Sequence, residues 1–446
     1  MEKLLFIRII ASLIFFFLVP GFFVLLGQNK TNKKKDTVQR EYPIFPKEKS
    51  PILDSLLSTL PTEYQKIIAN PSKYRFQLIY TQIDRKSNNN PKLTHHIYRL
   101  DTTEYFYPAS CLKMPVAVLA LEKLKTLNIP NLNWDTKIVN EKSRPCQMDP
   151  VTNDPDMASG IPTIKGYIKK IFLISDNPGY DRLFEFLTPY YINDTLRTRG
   201  FLSTKIVQRL FTYCPIEEHK FINPIKFYHN NTLIYEQKAS VCDSSYILPH
   251  VKTEKIGKFS WNGYTAVQGG LDPAKYSYIS LKDLHEMLIA IIMPNTLPKS
   301  KRFRLSQEEY DFLRKYMSMY PSESKDPNLS DKKFSYYENG RMKYFIYGGV
   351  GKDTLPGIRI FNKVGMAVGF LTDVAYIVDF EKKCEFFLSA TVYVNENQII
   401  GDDKYEYYNL GLPFLKEIGN KILEYERSRP KNPPDLSKFK YDYSQP

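Results

Sequence analysis

Hydrophobic positions divide the chain into a few distinct segments. Ile9 to Leu26 (IIASLIFFFLVPGFFVLL) is a nearly unbroken apolar run, preceded by Lys3 and Arg8 and followed by a polar, basic stretch. A run of about eighteen apolar residues just suffices to span a bilayer. Residues 1–27 therefore read as a signal peptide or signal anchor, and residues 28–49 as a linker. Beyond it the periodicity becomes that of a folded unit. Residues 51–68 read as a helix, Tyr74 to Ile83 as a strand and His95 to Leu100 as a second strand. An apolar helix runs from about Ser110 to Lys125, and a long, mostly helical middle follows. Ile358 to Phe370, Val374 to Phe380 and Glu385 to Val394 read as three consecutive strands, the last two joined by a Glu381-Lys382-Lys383 turn. Tyr408 to Arg427 is a final amphipathic helix, and residues 428–446 form a Pro- and Lys-rich tail.

Strands at both ends with helices between them imply one α+β domain over residues 50–427. Its antiparallel sheet is built from N- and C-terminal strands, and a mostly helical lobe is inserted between them. Composition supports a packed core: 43% of residues are hydrophobic and 25% charged, which excludes a disordered or fibrous chain. The net charge of +14 fits a basic surface facing an anionic membrane or wall. The lysines are scattered and no nucleic-acid recognition motif is present, so no nucleic-acid partner is expected. The five cysteines contain no C-x-x-C pair, so no metal site or cofactor is expected. In an oxidising compartment Cys214 and Cys242 are a candidate pair. The apolar N-terminal run implies export to the periplasm, with the chain released or anchored by residues 9–26.

Three short motifs carry candidate chemistry. The first is Ser110-Cys111-Leu112-Lys113. A serine hydroxyl needs a base to become a nucleophile, and a lysine whose pKa is lowered by burial can be that base. Three residues apart on a helix, the two side chains share one face. The spacing S-x-x-K occurs five times in the chain, but only at Ser110 does it open an apolar helix (MPVAVLALEKL) after strands. The start of a buried helix also offers free N–H groups to an oxyanion. The second motif, Ser175-Asp176-Asn177, follows an amphipathic helix over Thr163 to Ile174. It reads as a loop that could turn a hydroxyl and an amide into one cleft, or as a helix-ending turn. The third, Lys363-Val364-Gly365, lies in a strand. Its lysine could hold a substrate carboxylate, and its glycine leaves room for a ligand beside the backbone.

In this order, S-x-x-K, S-D-N and K-x-G resemble the motif set of class A β-lactamases and penicillin-binding proteins. The resemblance spans about residues 50 to 427 and is most specific in YFYPASCLKMPVAVLALEKL and IFLISDNPGYDRLFEFL. It implies a β-lactamase/transpeptidase-like fold and acyl transfer to Ser110. Lys113 would be the general base and Ser175 the proton relay to the leaving group. Asn177 would hold Lys113 and substrate, and Lys363 would face a substrate carboxylate. Gly365 would make room along the strand, and the backbone N–H groups of Ser110 and Met366 would form the oxyanion hole. The substrate would be a β-lactam or a peptidoglycan peptide. Val364 stands where the family has threonine or serine. Class A members also use a glutamate after S-D-N to activate water, and Glu217 and Glu218 lie in a comparable place. The alternatives are a D-alanyl-D-alanine peptidase or other amidase or esterase, and a non-catalytic wall-binding domain.

Overall fold

The computed structural model describes residues 44–211, 214–243, 246–329 and 332–444. The expected signal segment and most of the expected linker lie outside them. Among the described residues no helix is long and apolar enough to cross a membrane.

The organising element is a five-stranded antiparallel sheet. Its strands are β1 (Gln77–Arg85), β2 (Pro91–Tyr98), β3 (Ile358–Ala367), β4 (Phe370–Asp379) and β5 (Cys384–Tyr393). The spatial order is β3-β4-β5-β1-β2, so the two ends of the chain meet where β1 pairs with β5. Every residue of β4 and β5 is buried. Alternation along the strands therefore separates two apolar faces, and no face is left to water.

On one face, Ile79, Val374, Tyr376, Val378 and Phe387 join the core of the helical lobe. On the other, Leu78, Tyr80, Ala375, Ile377, Phe386 and Leu388 meet Phe414, Leu415, Ile418 and Ile422 of the last helix, Leu412–Ser428. Those four helical positions recur at the spacing that lines one stripe. The result is three layers, with the sheet between two helical layers.

The lobe comprises α3 (Lys113–Leu127), α4 (Ile164–Ile174), α5 (Asn177–Thr198), α6 (Leu281–Ile292) and α7 (Gln307–Ser318). Val116 through Leu121 of α3 are wholly buried, as expected of a helix that is apolar all round. α5 is interrupted at Thr188 (φ 65°), because Pro189 disfavours a helical conformation in the residue before it. The middle is less helical than its periodicity suggested. Short strands at Lys137–Asn140, Ile225–His229 and Thr232–Gln237 form a separate small sheet. The expected helix over 51–68 is two helices, α1 (Pro51–Ser58) and α2 (Thr62–Ala69), with Pro61 between them.

Two further features differ from the sequence reading. The disulfide joins Cys146 to Cys214, whereas Cys242 is a buried thiol. Cysteine spacing carries no information about which chain segments the fold brings together, so Cys214–Cys242 was a pairing of neighbours in sequence only. The Pro- and Lys-rich tail returns to the domain. Phe439 is wholly buried, with its ring 5.7 Å from that of Phe361 on β3 and 4.9 Å from that of Tyr376 on β4. Truncation of a buried phenylalanine typically costs about 3–5 kcal/mol. Phe439→Ala is expected to lower the unfolding free energy by about that amount in urea titrations. A change below about 0.5 kcal/mol, the range of surface substitutions, would show that the tail does not contribute to the core.

Candidate active site

The first motif occupies the bend into α3. Ala109 to Leu112 form a single tight turn that leads directly into the helix, with Cys111 N donating to Pro108 O at 3.0 Å. Ala109 has a φ of 46°, a left-handed conformation that an alanine adopts only when its surroundings hold it there. This turn places Ser110 on the last residues before α3 and Lys113 on its first.

The second motif is a junction between two helices and not a free loop. Thr163 caps α4 by accepting from Gly166 N at 3.0 Å. Ser175 ends α4 in the left-handed conformation (φ 56°, ψ 40°). Asp176 then caps α5, accepting from Gly179 N at 2.6 Å. Asn177 is the first residue of α5. The turn aims both the carbonyl and the hydroxyl of Ser175, together with the Asn177 amide, at Lys113.

The three motifs converge. Lys113 is completely buried. Its Nζ lies 2.8 Å from Ser110 Oγ, 2.6 Å from Asn177 Oδ1 and 3.1 Å from Ser175 Oγ, and it also contacts Ser175 O. Lys363 reaches the same point from β3: its Nζ donates to Ser175 Oγ at 2.9 Å and to Val364 O at 3.0 Å. Among the described residues neither lysine forms an ion pair with a carboxylate. Burial pushes the Lys113 ammonium well below the usual lysine range, and the charge of Lys363 pushes it further, against the opposing pull of Asp176 and Asp181. Burial also lowers Lys363, to about 8. The arrangement thus favours the neutral amine at Lys113 more strongly than at Lys363.

Gly365 explains how β3 comes so close to the nucleophile turn. A Cβ at this position would stand 2.4 Å from Pro108 O, 3.2 Å from Cys111 Sγ and 3.3 Å from Ala109 Cβ. Cys111 Sγ contacts Lys363 O at 3.6 Å. The turn and the edge strand are therefore in backbone contact, and Met366, half-buried, follows Gly365 along that edge. Val364 points the other way. It is buried in the core beneath the last helix, so its side chain packs and does not line the cleft.

Neither candidate glutamate stands free beside the nucleophile. Glu218 is held by Arg144, with Nη2 2.8 Å from Oε1, and Glu217 is exposed. The carboxylates that act most strongly on Lys113 are Asp176, engaged as a cap, and Asp181. Asp181 lies one turn beyond Asn177 and is wholly buried. It accepts from Leu210 N at 2.6 Å and Phe211 N at 3.0 Å, and burial raises it to about 7.

Sequence reading missed this anchor and one other group. Lys343, buried beneath β3, donates to Met317 O, Ile360 O and Asn362 Oδ1 at 2.6–2.8 Å. Asn362 Nδ2 in turn donates to Asp373 Oδ1 at 2.8 Å. Lys343 directly precedes an apolar run (YFIY) without helical or strand periodicity, and no local signal marks it. An Asp one turn after S-D-N was visible, but the loop that it binds was not.

Residues 60–425 match the Beta-lactamase enzyme family, and the chain belongs to that family. It is a β-lactamase-like serine hydrolase. Among solved structures it is similar to a β-lactamase from Xanthomonas campestris pv. campestris (11% identity, TM-score 0.45, covering 83% of this chain and 97% of that one). It is also similar to one from Sphaerobacter thermophilus (11%, 0.43, 82% and 96%) and to a class A β-lactamase from Mycobacterium abscessus (13%, 0.42, 82% and 99%). No curated protein matches.

The contact at Gly365 gives a direct test. A methyl group there forces the turn and the strand apart by a sizeable fraction of an ångström, and misplacement by about 1 Å typically costs about a hundredfold in rate. Gly365→Ala is expected to slow acylation of Ser110 by a serine-directed active ester by roughly that factor, as read by intact-protein mass spectrometry. An unchanged rate would mean that the approach of β3 to the turn is irrelevant to the nucleophile.

Proposed function

We propose that the protein is an exported hydrolase of class A β-lactamase character that opens a β-lactam or related amide by acyl transfer to Ser110. One observation carries the proposal: the hydrogen-bond accounting around Lys113 Nζ. A neutral amine has two N–H groups and one lone pair. Asn177 Oδ1 and Ser175 O can only accept, so they take the two N–H groups. The lone pair is left for a hydroxyl, and Ser110 Oγ at 2.8 Å is nearer to it than Ser175 Oγ at 3.1 Å, the arrangement a general base requires.

The steps follow from that geometry. The Ser110 proton passes to Lys113 as Oγ attacks the substrate carbonyl. The oxyanion is received by the backbone N–H groups of Ser110 and Met366, a contribution worth about a hundredfold or more per donor. Ser175, whose oxygen accepts from Lys363 and lies 3.1 Å from Lys113 Nζ, gives its own hydrogen to the departing nitrogen as the C–N bond breaks and takes the Lys113 proton in its place. Lys363 remains charged and attracts a substrate carboxylate. Export to the periplasm is supported by the apolar N-terminal run and by the Cys146–Cys214 disulfide, which belongs to an oxidising compartment.

A second reading concerns the fate of the acyl-enzyme. Asp181 docks the loop at Leu210 and Phe211, and neither side chain can activate water. Glu218 is engaged by Arg144. These contacts favour a long-lived acyl-enzyme, as in a penicillin-binding peptidase. Nitrocefin turnover and penicillin mass spectrometry separate the two. Fast turnover supports the β-lactamase reading, and a stable adduct at Ser110 supports the peptidase one. Ser110→Ala is expected to abolish both signals. Wild-type-like signals in that variant would defeat either enzyme reading.

The pH profile supplies a further check. Lys363 is charged below about 8 and loses that charge as pH rises through about 8. The kcat/KM for an anionic β-lactam, or its acylation rate, is expected to fall on that alkaline limb. Lys363→Arg keeps a charge at all relevant pH and should move the limb upward. A limb left in place by this variant would assign it to another group.

A further inference from the structure

A cavity of about 230 Å³ lies apart from the Ser110 cleft. None of Ser110, Lys113, Ser175, Asn177 or Lys363 lines it. Its walls include Tyr105, Val207, Leu248, Val251 and Tyr278, with Lys205 as the one charged lining residue among the described residues. The size suits one ring or a short branched chain: cavities of about 150 Å³ lined by apolar groups already take benzene. Ile247, 69% exposed, stands at the mouth, so the cavity is reachable from solvent.

Lys205 is what makes the cavity more than a packing gap. The residue is 8% exposed, and its Nζ donates to Ala274 O at 2.8 Å. Among the described residues no carboxylate forms an ion pair with it. Asp272, whose charge opposes the effect of burial on Lys205, uses its carboxylate to accept from Ala274 N at 3.0 Å. A buried ammonium with one carbonyl partner keeps two N–H groups for other acceptors. Burial without a counter-charge is costly, and an anion bound beside it would relieve that cost. Desolvation already lowers Lys205 to about 8. One cation in an apolar chamber matches a singly charged group; a phosphate dianion would need more donors.

We propose that this cavity is a second binding site, for a small monocarboxylic acid with an aromatic or branched aliphatic body. The carboxylate bonds to Lys205 Nζ, and the apolar body fills the space between Tyr105, Tyr278 and Val251. The site also touches the catalytic scaffold. Tyr105 lies on the segment that leads to Ser110, and Gln208, next to the wall residue Val207, donates to Tyr107 OH at 2.7 Å.

The test uses the full-length protein and 4-fluorophenylacetate, followed by fluorine NMR, with 4-fluorophenylacetamide as the neutral counterpart. The acid is expected to bind, with the amide at least about tenfold weaker because it lacks the charge that Lys205 requires. Lys205→Gln, which keeps a donor for Ala274 O, should weaken the acid by a similar factor. Val251→Trp, which fills the chamber without altering charge, should also abolish binding, and it serves if the first variant does not fold. Lys363→Gln should leave binding intact. The proposal is overturned by equal binding of acid and amide, by absence of binding at millimolar acid, or by binding that survives both cavity variants. Loss of binding in Lys363→Gln would place the acid in the Ser110 cleft and equally overturn it.

Discussion

A lysine amine at the end of a flexible chain is normally charged and in water. In this protein Lys113 is buried and, among the described residues, has no carboxylate ion-pair partner; its polar neighbours make that tolerable. Three chain segments supply its neighbours: the turn at Ser110, the α4–α5 junction at Ser175 and Asn177, and β3 through Lys363. Each would leave an unsatisfied buried polar group if it moved away. The same interactions that bury the amine also neutralise it, because desolvation and the neighbouring Lys363 both disfavour its charged form. Packing and charge state are here one constraint, since a more exposed Lys113 would cost less to accommodate but would hold its proton more tightly.

The edge strand is the second dependency. β3 has a neighbouring strand on one side only, yet it must hold Lys363 and the Met366 backbone in place. It is braced on both faces. Beneath it, Lys343, Asn362 and Asp373 form a closed buried network and Val364 fills the helix-facing core. Above it, Phe439 from the tail packs edge-on against Phe361. Valine at position 364 thus has a packing reason. Gly365 then lets the braced strand meet the nucleophile turn backbone to backbone.

The inserted lobe is fixed by buried polar anchors. Asp181 binds two consecutive amides of the loop at 210–211. Glu185, one turn further along α5, accepts from Arg209 Nε at 2.9 Å and Asn223 Nδ2 at 3.0 Å. These contacts fix the loop at 209–211 against α5.

Local sequence alone marked the presence of the five sheet strands, the apolar character of the helix after Ser110, and the residue types of the three motifs, though it began β2 at His95 and β4 at Val374, each four residues late. Those features are local: alternation, helical periodicity and turn residues act within a few positions. It also ordered the motifs correctly along the chain. Convergence of Ser110, Lys113, Ser175, Asn177 and Lys363 was decided only by tertiary structure, since 250 residues separate Lys113 from Lys363 and no local rule relates them. The same holds for the Cys146–Cys214 bond, the return of the tail through Phe439 and the anchoring role of Asp181. Each depends on a long-range approach of chain segments, and such approaches are fixed by the global packing of three layers. Burial, the property that turns Lys113 from a charge into a base, likewise belongs to the folded whole.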